Sequence, residues 1–323
     1  MLQLHIILAP FSYCWDYRML GSGLVNTEAI SQSQKFPISG YLKLTKPSII
    51  YLLVLTAATA MFLADGFAGD LSNVIFGLFG IALIASSSAV INQILDVEID
   101  SKMVRTKNRP LVKGEITATN AKVFSGILLA SGTILLLVFN KVLTLLLTLL
   151  TWAFYSFFYT KILKFAGTQN IVIGGLAGAM PPLLGWTAIT NSIDALPLLM
   201  VLIIFIWTPP HFWALSINRK EDYVAAKIPM MPVIKGTEHT KLQIALYSVL
   251  LAVTSIFPFA TGYLGGLYFI CAIVLNFGFI GLSIALIFDK SNKLALPLFL
   301  YSIVFLTILF ICMVLDKLFP FQL

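Results

Sequence analysis

This sequence predicts an all-α, polytopic membrane protein with nine transmembrane helices, on three grounds. Only 11% of its 323 residues are charged while 59% are hydrophobic; soluble domains carry about 25% charged residues, so a soluble enzyme is excluded. Apolar runs of about 20 residues, each able to cross a hydrocarbon core roughly 30 Å thick, recur along most of the chain. The basic residues, finally, sit in short segments between those runs. In that pattern the net charge of +7 sets topology, so the expected partner is the lipid bilayer and not nucleic acid.

Each run has its own boundaries. The first, about 48–64, follows Lys46-Pro47 and stops at Asp65; the second, about 74–95, runs into Asn92 and Asp96. The third and fourth, about 121–139 and 142–159, are separated by Asn140-Lys141, and the fourth stops before Lys161. The fifth, about 169–189, begins after Gly167 and ends before Asn191; the sixth, about 195–213, follows Asp194 and reaches Pro209-Pro210. The last three, about 243–261, 266–287 and 294–315, are bounded by Lys241, Gly262, Gly265, Asp289, Lys293 and Asp316.

Nine spans put the termini on opposite sides. Of the 21 lysines and arginines, Lys141 and Lys317 fall on one side and the remainder on the other. By the positive-inside rule the N-terminus is cytoplasmic and the charged loops face the cytoplasm. Residues 1–40 hold no run long enough to span and read as a cytoplasmic tail before a membrane domain at 41–323. One arginine (Arg18) beside Asp16 and Glu28 is unlike a mitochondrial presequence and favours a bacterial plasma (inner) membrane, with Met19 an alternative start. Cys14, Cys271 and Cys312 are far apart, without CxxC or a nearby His, and signal neither zinc nor a disulfide framework.

Chemistry concentrates in two loops. NQILDVEID spaces Asn92, Asp96 and Asp100 by four, which puts all three on one helix face. Two carboxylates about 6 Å apart repel by roughly 3 kcal/mol at an effective dielectric near 20, and a hard divalent ion such as Mg²⁺ relieves that. Lys102, Arg105, Lys107 and Arg109 follow at once, cations suited to pyrophosphate oxygens. The plain alternative is a solvated loop with helix-end charges. In the second loop Pro209 and Pro210 interrupt the helical hydrogen-bond ladder of the sixth span, ahead of the mixed cluster Arg219, Lys220, Glu221, Asp222 and Tyr223. His211 could ligate haem iron, handle a proton, cap the helix, or simply be a packed histidine. Lys46 is equally consistent with snorkelling, and Lys161 and Lys164 with positive-inside bias. Gly174, Gly175 and Gly178 lie on nearly one face and are assigned to close helix packing.

NQILDVEIDSKMVRTKNRPLVKGE closely resembles the first aspartate-rich motif of the UbiA superfamily of intramembrane prenyltransferases, in its haem-farnesylating branch. YLKLTKPSII at 41–50, NIVIGGLAGAMPPLLGW at 170–186 and WTPPHFWALSINRKEDYVAAKIPMMPVIKG at 207–236 agree with the same branch, so the match spans about 200 residues in order. Glu98 stands where Asp is usual, Val97 where Arg is common and Phe165 where an Arg would follow Lys164, and Ala226 replaces the second carboxylate of a DxxxD pair after Asp222.

The resemblance implies a UbiA-type helical bundle and transfer of a farnesyl group from farnesyl diphosphate to a vinyl group of protohaem IX, with water added. Asn92, Asp96 and Asp100 would hold Mg²⁺; Arg105, Arg109 and Lys102 would take the diphosphate, with Lys46 and Lys164 as further contacts. Asp222 would be the counterpart of the second aspartate site, with Arg219, Lys220, Tyr223 and His211 lining the substrates, and a downstream haem-modifying enzyme would be a candidate partner. The rivals are a prenyltransferase with a quinone or chlorophyll precursor as acceptor, and a cation-coupled transporter, which would place its acids near mid-bilayer.

Overall fold

Apolar runs of this length satisfy their backbone polar groups internally only as helices when lipid surrounds them, and a helical bundle is what the computed structural model contains. It describes residues 38–65 and 69–321. The expected tail, with His5, Cys14, Arg18 and Met19, lies outside the described residues apart from its last three positions. Ser39–Leu323 forms one compact unit.

In chain order a short α1 (Ile38–Leu44) leads into α2 (Pro47–Asp65), α3 (Leu71–Leu95) and a short α4 (Val97–Lys102). Then come α5 (Ala118–Phe139) and α6 (Val142–Ala153), the latter continuing as a π-helical segment (Phe154–Ile162) and a 3₁₀ turn (Leu163–Phe165). α7 (Asn170–Ala179), α8 (Pro181–Thr190), α9 (Ala195–Asn218), α10 (Lys220–Ala225) and α11 (Met231–Ile234) follow. The chain closes with α12 (Thr237–Ala260), α13 (Gly266–Phe288) and α14 (Ala295–Leu318). Among the described residues nine helices are long and apolar enough to cross a membrane, and none is a strand. The protein is a multi-pass membrane protein.

Burial orders the bundle. The α7–α8 span and α9 are 61% and 72% buried against 22% for α5 and for the α6–π span, so the former are central and the latter face lipid. Small residues allow close approach: a Cβ on Gly185 would fall on the Ala57 carbonyl, and Gly80 and Gly132 oppose each other between α3 and α5. Hydroxyl pairs such as Ser87–Ser125 (2.9 Å) and Ser248–Ser283 (2.8 Å) join helices inside the apolar slab.

Three expectations need correcting. The sixth span does not stop near residue 213: α9 runs through Pro209 and Pro210 to Asn218, its heavy burial holding the helix despite two missing N–H donors. The discontinuous helices are instead the fourth span, which turns π-helical, and the fifth, which restarts at Pro181 after Met180. The glycines do not all serve close packing: Gly174 opposes Tyr159 and Gly175 opposes Thr208, whereas a Cβ on Gly178 would meet open space.

Candidate active site

α3 ends at Leu95 and Asp96, at φ −95° and ψ 3°, bends the chain into α4. The helical register survives the bend, because Asp96 N donates to Asn92 O (3.0 Å) and Asp100 N to Asp96 O (2.7 Å). Asn92, Asp96 and Asp100 therefore line one face, as their spacing predicts, and all three are buried. Each has a cation. Lys46 Nζ donates to Asn92 Oδ1 (2.8 Å), Lys164 Nζ lies 2.8 Å from Asp96 Oδ2, and Arg109 Nη1 2.5 Å from Asp100 Oδ2. Asn92 Nδ2 completes the row by donating to Asp96 Oδ2 (2.8 Å). Turns at 103–109, with Thr106 Oγ1 donating to Asp100 O (2.9 Å), fold Arg109 back over the aspartates.

Lys46 sits at φ 54° immediately before Pro47. A left-handed, pre-proline lysine is strained backbone, and the strain aims its side chain at Asn92. Desolvation, followed by the neighbouring Arg109 charge, lowers its pKa to about 7, against the opposing pull of Asp96 and Asp100.

The second loop closes over the first. After α9 the chain breaks at Arg219 and α10 carries Asp222, whose Oδ1 accepts from Val104 N (3.0 Å). Met103, Ile171, Tyr223, Ala226, Ile228 and Met230 form an apolar seam between the loops, and Phe212 packs against it. Burial in that seam raises the Tyr223 phenol, while Arg105 and Arg219 beside it pull the other way. Arg105 is exposed, and its charge acts on both Lys46 and Tyr223, which places it where the two loops meet. Lys102 is not brought in: it pairs with exposed Glu98 (2.8 Å). Among the described residues Lys220 pairs with none of the three aspartates either.

His211, on α9 beneath the seam, is buried with its ring stacked between Trp207 (centroids 4.2 Å) and Phe299 (4.6 Å). Its Nδ1 is 2.6 Å from Ser302 Oγ, and that hydroxyl donates its single proton to Phe299 O (2.6 Å). In the tautomer that carries its proton on Nδ1, His211 donates to Ser302 Oγ and keeps its lone pair on Nε2.

The residue that sequence reasoning missed is Thr160. It is buried in the π-helical segment, and its Oγ1 accepts from Asn92 Nδ2 (3.3 Å). Ser156 and Thr160 are small polar residues in an aromatic run, FYSFFYTKI. That contrast was the available signal.

The donors suit a hard cation. Asp222 Oδ2 is buried with no hydrogen-bond partner among the described residues, and a buried orphan acceptor is costly unless something charged reaches it. Among the described residues no three His, Cys, Asp or Glu side chains already converge as a metal cluster. The set fits an ion of the Mg²⁺ type, which takes one or two carboxylates and completes its shell with phosphate and water.

The chain matches the UbiA prenyltransferase family over residues 53–311. It is 48% identical over 296 residues to a protoheme IX farnesyltransferase of Psychromonas ingrahamii, covering 92% of this chain and 95% of that one. It is 45% identical over 295 residues to one of Teredinibacter turnerae, with 91% and 94% covered. Among solved structures it resembles digeranylgeranylglyceryl phosphate synthase (TM-score 0.71, 20% identity, 86% and 98% covered). It also resembles a UbiA homologue of Archaeoglobus fulgidus bound to GPP and Mg²⁺ (TM-score 0.61, 18% identity, 85% and 99% covered). With a family match across most of its length and relatives this similar, the chain belongs to the UbiA prenyltransferase family.

Proposed function

We propose that this protein transfers the farnesyl group of farnesyl diphosphate to a vinyl group of protohaem IX, giving haem O and diphosphate. The observation that carries the reading is the buried Asn92–Asp96–Asp100 row edged by Lys46, Lys164 and Arg109, with the Asp222 carboxylate on the loop above. The relatives named for this reaction are 45–48% identical to the chain.

Asp96 and Asp100, with Asn92 assisting, would hold Mg²⁺, with Asp222 the carboxylate that the second loop contributes. Held by these residues, such an ion would supply positive charge against the leaving diphosphate. Arg105, Arg109, Lys46 and Lys164 stabilise the same charge as the farnesyl C1–O bond breaks and its electron pair leaves with the diphosphate. Arg219, Lys220 and Tyr223 line the approach from the second loop, and Lys102 lies at its outer edge. The vinyl group, a weak nucleophile, forms the new carbon–carbon bond with the allylic cation. Water then supplies the hydroxyl at the resulting haem cation and loses a proton. The apolar seam shields the cation from premature capture.

On the acceptor side His211 would offer an iron porphyrin its Nε2 lone pair in the tautomer in which Nδ1–H donates to Ser302. Topologically, residues 1–40 are a cytoplasmic tail and 41–323 the catalytic domain of a bacterial plasma-membrane enzyme whose active rim faces the cytoplasm. The distribution of lysine and arginine supports this. The apolar product would pass within the bilayer to a haem-modifying enzyme. The test incubates purified protein with protohaem, a competing quinone precursor, farnesyl diphosphate and Mg²⁺. A haem product heavier by a farnesyl and a hydroxyl group by mass spectrometry is expected; unmodified haem, with farnesyl transferred to a quinone precursor instead, would overturn the acceptor.

A further inference from the structure

Resting on the diphosphate reading above, we infer that Thr160 is a positioning residue that fixes which way the Asn92 carboxamide faces, and that the π-helical segment holds it there. The Thr160 hydroxyl donates to Tyr155 O (2.8 Å), the carbonyl five residues back. A regular helix would offer such a hydroxyl the carbonyl three or four residues back. With its only hydrogen committed, Oγ1 can face Asn92 only as an acceptor, and Asn92 Nδ2 lies 3.3 Å away.

The orientation matters because the two ends of the carboxamide meet opposite charges. Oδ1 faces the Lys46 ammonium and Nδ2 the Asp96 carboxylate, each at 2.8 Å. A flipped amide would set NH₂ against the cation and C=O against the anion, two repulsions in a buried site. Lys46 and Asp96 hold the correct orientation only until substrate arrives, since diphosphate draws the lysine and the metal draws the carboxylate. The neutral Thr160 hydroxyl is attracted by neither. It is the contact that keeps Oδ1 turned toward the incoming ligands throughout binding. The π segment also separates the roles of its neighbours: Thr160 meets Asn92 and Lys164 meets Asp96, while exposed Lys161 lies 5.9 Å from the Phe157 ring centroid.

The test compares Mg²⁺-dependent binding of farnesyl thiodiphosphate, an analogue that resists ionisation, by the wild type, Thr160→Val and Thr160→Ser. Valine keeps the shape without the acceptor and serine keeps the acceptor. Thr160→Val is expected to weaken binding and raise the Mg²⁺ requirement roughly 10–100-fold, while Thr160→Ser binds as the wild type does. Wild-type binding by Thr160→Val, or equal losses in both variants, would overturn the inference. If Thr160→Val is not recovered folded, Thr160→Ala against Thr160→Ser makes the same comparison. An absence of analogue binding by the wild type would overturn the diphosphate reading itself, a failure distinct from either of these.

Discussion

Arg105 and Arg109 lie four residues apart in one loop, yet they are held differently. Arg109 is paired with a buried carboxylate, Asp100, whereas Arg105 is exposed and among the described residues has no carboxylate partner. Removing one member of a buried pair leaves an uncompensated charge worth about 3 kcal/mol. Arg109→Ala should therefore lower both the Tm and diphosphate affinity, and Arg105→Ala should lower affinity about tenfold at unchanged Tm, the loss of one charge-assisted contact. Thermal denaturation and analogue binding on both variants check this; equal Tm losses would show that Arg105 is structural. The aspartates were legible in the sequence because their spacing of four is a local, helical relation. Lys46, Lys164 and Thr160 reach the Asn92–Asp96–Asp100 row from other segments; the two lysines were named as contacts only through the family resemblance and Thr160 not at all, because nothing local reports such an approach. Lys102 shows the converse error: adjacent in sequence, it turns to Glu98 instead.

At the scale of elements, length and hydropathy located the helices, but the irregularities within them depend on packing. Two prolines in α9 looked like a break and are absorbed, because that helix is the most buried of the nine spans among the described residues. The π-helical stretch carries no proline or glycine to announce it. Glycines mislead in the same way, since a small residue is needed only where another chain segment actually touches. Gly178→Ala should leave the fold intact and gain up to about 1 kcal/mol of helix propensity, because a Cβ there meets nothing within 4 Å. Gly185→Ala should destabilise, its Cβ driven onto the Ala57 carbonyl. Denaturation midpoints of the two purified variants distinguish these outcomes, and a loss at Gly178 would mean that another surface packs there.

For the molecule as a whole, the nine spans and the family were readable because composition and motif survive without knowledge of contacts. What the fold adds is placement. Alternating helices bring the ends of α3 and α9, the start of α2 and the 3₁₀ turn after the fourth span to one rim, where Asp96, Asp100 and Asp222 collect. A transporter would need acids along a path through the slab. The buried acid at the opposite rim, Asp316, instead accepts from Gly265 N (2.5 Å) and Tyr268 N (3.0 Å) at the start of α13, a capping role. The account stands on a divalent ion and a diphosphate meeting at the aspartate row. Mn²⁺ in place of Mg²⁺, with farnesyl thiodiphosphate bound, allows that meeting to be read directly by electron–nuclear double resonance. The account predicts a phosphorus coupling to Mn²⁺ in the wild type that disappears in folded Asp96→Asn and Asp100→Asn; an undiminished coupling in both variants would contradict it.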